Sequence, residues 1–320
     1  MAIVANTFTA FDAVGIREQL SDIIFNIAPT DTPFMSGVKK GKAENVYFEW
    51  QTDTLDAAAN NAQLDGDDIT AFAAITPTAR IGNRTQISRK AFLISGTEQA
   101  VLKAGRSKEV AYQVALKGKA IKRDMETALT QNATAVTGST TVAKQTRGLE
   151  GWIATNDNLG VGGVNPNPYT ATYRTVAANT AAVDGTARAF TESMLKDVCQ
   201  KVFTAGGNPG LLMVGPTQKQ VVSTFTGNNT RMQDTSDGKL HTAISVYTSD
   251  FGTFKVVPNR FQRNRTAFLL EMDMWSLQSL RSFQVVDLAK TGDADKKLLI
   301  AEYGLQANQE VANGVVRDLA

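Results

Sequence analysis

The stretch that decides the fold begins with Val46-Tyr47-Phe48-Glu49-Trp50-Gln51, a run of β-branched and aromatic residues that is typical of a strand. A polar segment rich in Ala, Asn and Asp follows over 54–68, and a second strand-like stretch runs over 70–92. Together they predict a long hairpin, from about Val46 to Leu93. Each arm would reach roughly 50 Å at about 3.3 Å per residue. An isolated two-stranded hairpin is at best marginally stable in water, so we expect this one to find support on copies of the same chain.

One long helix is predicted after the hairpin, from about Ser107 to Gln131. About 25 residues at 1.5 Å each would give a rod of about 38 Å. Its apolar stripe is narrow, which predicts that the helix lies on a sheet or on another helix. Gly118 falls on the same stripe, where a close approach by another element and a tolerated defect are both open interpretations. The stripe consists of Val110, Val114, Ile121, Met125 and Leu129.

The segment before the hairpin predicts an extended arm over the first ten residues and a short amphipathic helix from Phe11 to about Pro29. A small basic cluster then precedes the hairpin. We interpret it either as a solvated loop or as a contact for DNA or an acidic neighbour. The cluster consists of Lys39, Lys40 and Lys42.

The segment after the long helix predicts loops and short strands over 133–185, followed by a compact α/β unit. In that unit a helix begins after Thr191 and ends at Gly206-Gly207, and a buried strand leads to a second helix at Pro216. The last third is β-rich. Its predicted strands are Thr242–Tyr247, Thr253–Val257, Ala267–Glu271, Phe283–Asp287 and Lys297–Tyr303.

Composition and motifs argue against an enzyme. The chain has 320 residues, with 33 Lys and Arg against 31 Asp and Glu, so it lacks the strong basic excess of a dedicated nucleic-acid binder. Its single cysteine, Cys199, and its single histidine, His241, cannot assemble a metal site, and we expect Cys199 to be buried. No nucleophile elbow, phosphate-binding loop, signal peptide or membrane span is evident. We therefore predict no catalytic residue, no metal, no cofactor and no membrane partner.

Four short stretches carry a resemblance to a known family: Ile27–Phe34, Phe48–Asp53, Arg147–Gly151, and Glu302–Leu305 with Asn308. Together with the order of elements, they resemble the major capsid protein of tailed phages, the Hong-Kong-97-type fold, and in particular one branch of major head proteins. The similarity spans nearly the whole chain.

The resemblance implies an α+β fold with five parts. They are an N-terminal arm (1–40), an E-loop hairpin (41–94), a peripheral domain built on the long spine helix (95–185), an α/β axial domain (186–260), and C-terminal strands that return to the peripheral domain (261–320). Some relatives crosslink through a Lys–Asn isopeptide bond, but no motif here matches, so no crosslinking residue is carried over.

The implied function is structural. Such subunits form pentamers and hexamers that close into an icosahedral head around double-stranded DNA, in a virion assembled in the cytoplasm of the bacterial host. The implied partners are other copies of the chain, a scaffolding protein, a portal, a decoration protein in some relatives, and DNA held without sequence specificity on the inner face. Because the chain reaches its arm helix by Phe11, we expect the scaffold to be separate.

A specific hypothesis concerns how the hairpin makes assembly contacts. It would lie across a neighbouring subunit, with Trp50 anchoring its base and with Arg80, Arg84 and Lys90 pairing with acidic neighbours. Trp50 could equally be a core anchor within its own chain. Two other functions stay open at this point: a tail or surface-lattice protein that forms tubes or sheets, and a hydrolase with an unidentified carboxylate site.

Overall fold

The structure of the chain is a computed structural model. The helix predicted after Phe11, the residue Ser107 and the residue His241 lie outside the described residues. The residues that the structure describes are 31–55, 58–63, 65–66, 72, 74–75, 77–101, 108–168, 180–225 and 245–320.

The described residues form five α-helices and twelve strands. The helices are α1 Pro33–Gly37, α2 Gly96–Ala100, α3 Glu109–Thr130, α4 Glu192–Thr204 and α5 Pro216–Val222. The strands are β1 Lys39–Lys42, β2 Tyr47–Thr52, β3 Ala79–Arg84, β4 Gln86–Ser95, β5 Asp157–Asn158, β6 Leu211–Val214, β7 Val246–Ser249, β8 Gly252–Pro258, β9 Ala267–Leu270, β10 Trp275–Asp287, β11 Ala294–Ala307 and β12 Gly314–Val316.

The strands of the described residues are arranged in three sheets. The first has the order β1-β10-β11-β4, with β1 parallel to β10 and the other pairs antiparallel. The second has the order β5-β12-β9-β6-β8-β7, and the third is the hairpin β2-β3 alone. The long helix α3 contacts β4 and β11 of the first sheet, as its narrow stripe predicted, while α4 contacts β12 and α5 contacts β8 of the second.

Two hydrophobic cores lie among the described residues. The first includes Leu129 of α3, Trp152, and Trp275 of the first sheet. It also includes Met213, Phe268 and Val315 of the second sheet, so this core lies between the two sheets. The second lies between α4 and the second sheet, and Cys199 is buried within it, which confirms the sequence prediction for that residue. The contact at Gly118 is ordinary, because a Cβ there would lie 3.7 Å from Cζ of Phe283.

The long hairpin is the main correction to the sequence prediction. The stretch 70–92 does not form one strand. It contains β3 and β4, which separate at Thr85, and β4 leaves the hairpin to pair with β11. The hairpin strands therefore have six residues each. The physical reason lies at Thr85, whose buried hydroxyl donates a hydrogen bond to the Glu302 carboxylate of β11. This bond holds the start of β4 against the first sheet.

Two other strand predictions were correct in place but short in extent. The predicted strands near 283–287 and 297–303 lie within β10 and β11, which pair over most of their length as a long antiparallel ladder. The basic cluster, interpreted either as a solvated loop or as a contact, is the exposed edge strand β1. Its contact with DNA or an acidic neighbour stays a prediction. The helix α3 confirms the predicted long helix to within two residues at each end.

Candidate assembly surface

The base of the hairpin is fixed to the body of its own chain through Trp50. Its indole Nε1 donates to the carbonyl oxygen of Ala307 at 2.7 Å, and its ring centroid lies 5.5 Å from that of Trp152. Phe48 stacks on Trp50 and closes on Gly304, where a Cβ would come within 2.5 Å of the Phe48 ring. A side chain at 304 would push the hairpin away. Of the two interpretations of Trp50, the structure shows the contact within the chain.

Arg80 and Arg84 have partners on the opposite strand of the hairpin. Arg80 forms an ion pair with Glu49. The Arg84 guanidinium carbon lies 4.8 Å from the centroid of the Tyr47 ring, which is a cation–π distance. Both partners lie within the same chain, whereas the sequence predicted pairing with acidic residues of a neighbouring subunit. A contact of either arginine with a second copy stays a prediction, and the Arg80 side chain is 65% exposed.

Lys90 lies on β4, outside the hairpin proper. Its Nζ pairs with the Asp124 carboxylate of α3 at 2.6 Å, and both side chains are partly exposed. An exposed pair of this kind stabilises a fold by about 1 kcal/mol at most. Lys90 therefore connects the sheet to the long helix, and its role towards a neighbour stays a prediction.

The end of β3 is held by Asn83, which is fully buried. Its Nδ2 donates to the carbonyl oxygen of Leu305 at 2.6 Å and to Oγ1 of Thr146 at 3.0 Å. Its Oδ1 accepts from the backbone N–H of Arg147 at 3.0 Å. The burial of Asn83 could not be predicted, because a polar residue in a polar strand carries no signal of burial.

Glu302 of β11 receives charge and hydrogen bonds from three sides. It accepts from Oγ1 of Thr85 at 2.9 Å and from Nε of Arg281 at 2.7 Å, and it forms an ion pair with Lys144. Burial alone would raise the pKa of the Glu302 carboxyl, but these three partners together lower it below its ordinary value. An ionised Glu302 thus joins the start of β4 to β10 and to the loop that carries Lys144.

Glu126 of α3 holds the segment that leads back towards the N-terminus. Its carboxylate accepts from the backbone N–H groups of Phe34 at 2.9 Å and Met35 at 2.8 Å, and from Nδ2 of Asn259 at 2.7 Å. Burial raises the pKa of Glu126, and the three hydrogen bonds offset part of that rise. The first turn of α1 is therefore fixed to the long helix. Nothing in the sequence pattern of the helix marks Glu126 as buried.

The connection between β2 and β3 carries exposed apolar side chains and a one-sided charge. Leu55, Phe72 and Ile75 are 99%, 87% and 94% exposed. The described residues between 53 and 78 form no helix or strand. No Lys or Arg occurs between Thr52 and Ala79, and the acidic residues of this interval are Asp53, Asp56, Asp65, Asp67 and Asp68. Exposed apolar and acidic groups on one projection are typical of a surface that meets a partner.

Neither the single cysteine nor a metal cluster offers reactive chemistry in the described part of the chain. Cys199 is buried, and burial raises the pKa of its thiol to about 12, so it stays protonated at neutral pH. No group of three or more His, Cys, Asp or Glu residues is placed to hold a metal within the described ranges. No helix among the described residues has both the length and the apolar character to cross a membrane.

Comparison with known proteins identifies the family. The family model of the SU10 major capsid protein matches residues 3–320. The major capsid protein of Escherichia phage Phieco32 is 27% identical over 338 residues, which cover 97% of this chain and 96% of that protein.

Solved structures show the same fold at low sequence identity. The capsid asymmetric unit of Cyanophage A-1(L) superposes with a TM-score of 0.69 at 16% identity, over 95% of this chain and 97% of that one. The capsid of a native GTA particle, determined with C5 symmetry, gives a TM-score of 0.60 at 12% identity, over 97% and 98% of the two chains. These likenesses confirm the Hong-Kong-97-type fold.

The family match decides among the functions that the sequence left open. It confirms a structural protein of the phage head, and it supports neither a hydrolase nor a tail or other lattice protein. A major capsid protein is a component of the virion. With a match over nearly its whole length, this chain belongs to the SU10 major capsid protein family.

Proposed function

We propose that the chain self-assembles into pentamers and hexamers that close into an icosahedral head around double-stranded DNA. The observation that carries this proposal is the hairpin. Trp50 fixes its base, and the connection between its strands exposes Leu55, Phe72 and Ile75 on either side of the tip. Family membership and the capsid fold support it. If the tip of each subunit contacts one neighbour and its body contacts the tip of another neighbour, the interface is heterologous. Heterologous interfaces form rings when the rotation between subunits closes.

The four residues named from the sequence have distinct roles in this proposal. Trp50 fixes the angle at which the hairpin leaves the body, because its indole is bound to the chain itself. A guanidinium has five donors, so Arg80 and Arg84 retain donors for a neighbour after their partners within the chain are satisfied. Lys90 contributes a partly exposed ammonium beside the long helix.

The division into arm, E-loop, peripheral domain and axial domain is part of this proposal, and the two hydrophobic cores support it in part. We propose that the core under α3 belongs to the peripheral domain and the core under α4 to the axial domain. The boundaries at 40, 94, 185 and 260 follow from the resemblance. β10 and β11 return to the first sheet after residue 260, whereas β9 and β12 of the same segment, and β5 before residue 185, belong to the second sheet.

Further partners follow from the family's role rather than from any contact in this chain. We propose that a scaffolding protein and a portal take part in assembly in the host cytoplasm, that a decoration protein can cover the outer surface, and that DNA contacts the inner face without sequence specificity. Phosphate contacts weaken as salt rises, so the stability of DNA-filled heads in a salt series tests the DNA contact.

Deletion of the hairpin tip tests the role of the hairpin. Removing 57–68 leaves β2, β3 and the Trp50 contact in place, so the subunit should still fold. We expect shell yield, measured by electron microscopy and sedimentation, to fall sharply. Replacing the same residues by an equally long Gly-Ser segment is the matched control for connection length, and it should also fail to form shells. Shells of normal yield and stability from the deletion variant would show that the hairpin is not the clamp.

A further inference from the structure

We propose that lysines of α3 and β1 form one surface that binds the phosphate backbone of double-stranded DNA. The residues of this basic surface are Lys40, Lys42, Lys119 and Lys122. The inference rests on the proposed function and deepens it, because it names the residues that contact the enclosed DNA. It also predicts that the side of the chain that carries α3 faces the interior of the head.

One row of the long helix is exposed and carries no acidic residue. Residues 111, 115, 119 and 122 recur at spacings of three and four, which places them on one face of a helix, and all four are exposed. Two of them are alanines, and the other two are Lys119 and Lys122. The exposed acid of α3, Asp124, lies off this row, on the side towards β4. The two ammonium groups of the row are about 4.5 Å apart along the helix axis.

The same row leads to the segment that carries β1. One turn beyond Lys122 the row reaches Glu126, which is buried and accepts hydrogen bonds from the backbone N–H groups of Phe34 and Met35 in α1. Strand β1 begins two residues after α1 ends. The exposed row of α3 and the basic strand are therefore connected through α1.

Two lysines of β1 lie on the same side of the sheet as α3. In the register of β1 with β10, Lys40 pairs with Leu277. Paired residues of neighbouring strands point to the same face of a sheet, and Leu277 is part of the core that also includes residues of α3. Lys42 follows Lys40 by two residues and shares its face. Lys39 lies on the opposite face and pairs with Asp273.

The lysines of the basic surface keep their charge unneutralised by their own chain. None of the four forms an ion pair within the part of the chain that the structure describes. All four residues are exposed. The surface therefore presents four ammonium groups, in a chain whose net charge is only +2.

The composition of the basic surface fits DNA better than a protein partner. Interfaces between proteins are depleted in Lys, and their binding energy is concentrated in buried aromatic and Arg anchors. Among the described residues, no exposed large apolar side chain belongs to α3 or β1. Lysine is a flexible point charge that binds phosphate without a fixed geometry. Contacts to phosphate also carry no sequence information, as the enclosure of DNA of any sequence requires.

Removal of charge tests the proposal. The variants are Lys119→Gln with Lys122→Gln, Lys40→Gln with Lys42→Gln, and all four together. Binding of a random-sequence DNA duplex to unassembled subunits is measured by fluorescence anisotropy at a series of salt concentrations. We expect the slope of log K against log salt to become less steep by about 0.9 for each lysine that contacts a phosphate, or about 3.6 for the fourfold variant.

Two matched variants control for charge and for fold. Lys196→Gln with Lys255→Gln removes two exposed lysines from α4 and β8, and it should leave the salt slope unchanged. Lys119→Arg with Lys122→Arg keeps both charges and should bind DNA as the native chain does. Circular dichroism and thermal unfolding of the unassembled subunits identify any variant that lost its fold.

DNA-filled heads provide the second measurement. Heads of the fourfold variant should assemble at normal yield and should release their DNA at a lower salt concentration than native heads. An unchanged salt slope in the fourfold variant overturns the proposal, and so does retention of DNA equal to that of native heads. Loss of shell assembly with an unchanged salt slope would assign the surface to an acidic protein segment. In each of these cases the capsid function stands, whereas a native chain that forms no shells with its scaffold overturns the proposed function itself.

Discussion

The indole nitrogen of Trp50 donates a hydrogen bond to the carbonyl oxygen of Ala307, 257 residues later in the chain, at 2.7 Å. This bond attaches the hairpin to the end of β11, beside the stacked ring of Phe48 and the close approach at Gly304. The hairpin therefore leaves the body at a defined angle, although the described residues of its tip carry no regular structure. A rigid base with an exposed tip is the geometry that a clamp between subunits requires.

Replacement of Trp50 by Ala should weaken the subunit as well as the shell. The loss of a large, partly buried ring and its hydrogen bond should lower the free energy of unfolding by about 3 kcal/mol. The measurement is urea unfolding of unassembled subunits. Phe72→Ala is the matched control, since Phe72 is 87% exposed and its removal should change stability by less than about 0.5 kcal/mol. Equal effects of the two substitutions would contradict an anchoring role for Trp50.

Asn83→Ala should be among the most destabilising substitutions in the hairpin. It leaves the carbonyl of Leu305 and the N–H of Arg147 without the partner that the buried Asn83 side chain supplies. Each unsatisfied buried group costs about 1–3 kcal/mol, so we expect a total loss of about 3 kcal/mol. Asn60→Ala, in the exposed tip, is the control and should have no measurable effect on urea unfolding. A loss below about 1 kcal/mol at Asn83 would show that water replaces its bonds.

The pH dependence of stability should report on Glu302. Its folded pKa is lowered, so the unfolded chain binds more protons than the folded chain when the pH falls below the ordinary carboxyl value of about 4.3. The stabilisation by Glu302 is therefore fully present above that value and is lost as the pH falls through the folded pKa.

Glu302→Gln tests this pH dependence directly. At pH 7 the variant should be less stable by roughly 2 kcal/mol, because two cations lose a charged acceptor. The difference from the native chain should shrink as the pH falls below about 4.3. Urea unfolding at a series of pH values makes the comparison, with Glu44→Gln at an exposed position as the control. A difference that stays constant down to pH 3 would mean that Glu302 does not titrate as described.

Arg80→Ala separates a role within the chain from a role between chains. Its exposed pair with Glu49 predicts a loss of subunit stability below about 1 kcal/mol. If its remaining donors bind a neighbour, shell yield should fall while unfolding of the free subunit hardly changes. Arg260→Ala, at another exposed position, should leave both unchanged. Normal shell yield from the Arg80 variant would show that Arg80 contacts only its own hairpin and no neighbouring subunit.

The sequence pattern was sufficient to predict an element when the residues of that element alone determine its structure. The apolar stripe from Val110 to Leu129 predicted α3 and its contact with a sheet. The strands near Thr253 and Ala267 were predicted from their β-branched and apolar runs. The resemblance in four short stretches predicted the family, which the match over residues 3–320 shows.

The sequence could not predict features that depend on distant partners. The break between β3 and β4 depends on Thr85 meeting Glu302, 217 residues away. The strand β1 depends on pairing with β10, and nothing in its basic residues favours a strand. Likewise, the ion pairs of Arg80 with Glu49 and of Lys90 with Asp124 could not be predicted, because only the fold places these residues side by side. In each case the decisive contact joins segments that are far apart in the chain.

Electron microscopy of the full chain, expressed alone and with its scaffold, tests whether the hairpin builds a closed head. We expect closed shells, accompanied by rings with five- and six-fold symmetry. Tubes, flat sheets, or a stable monomer under both conditions would contradict it.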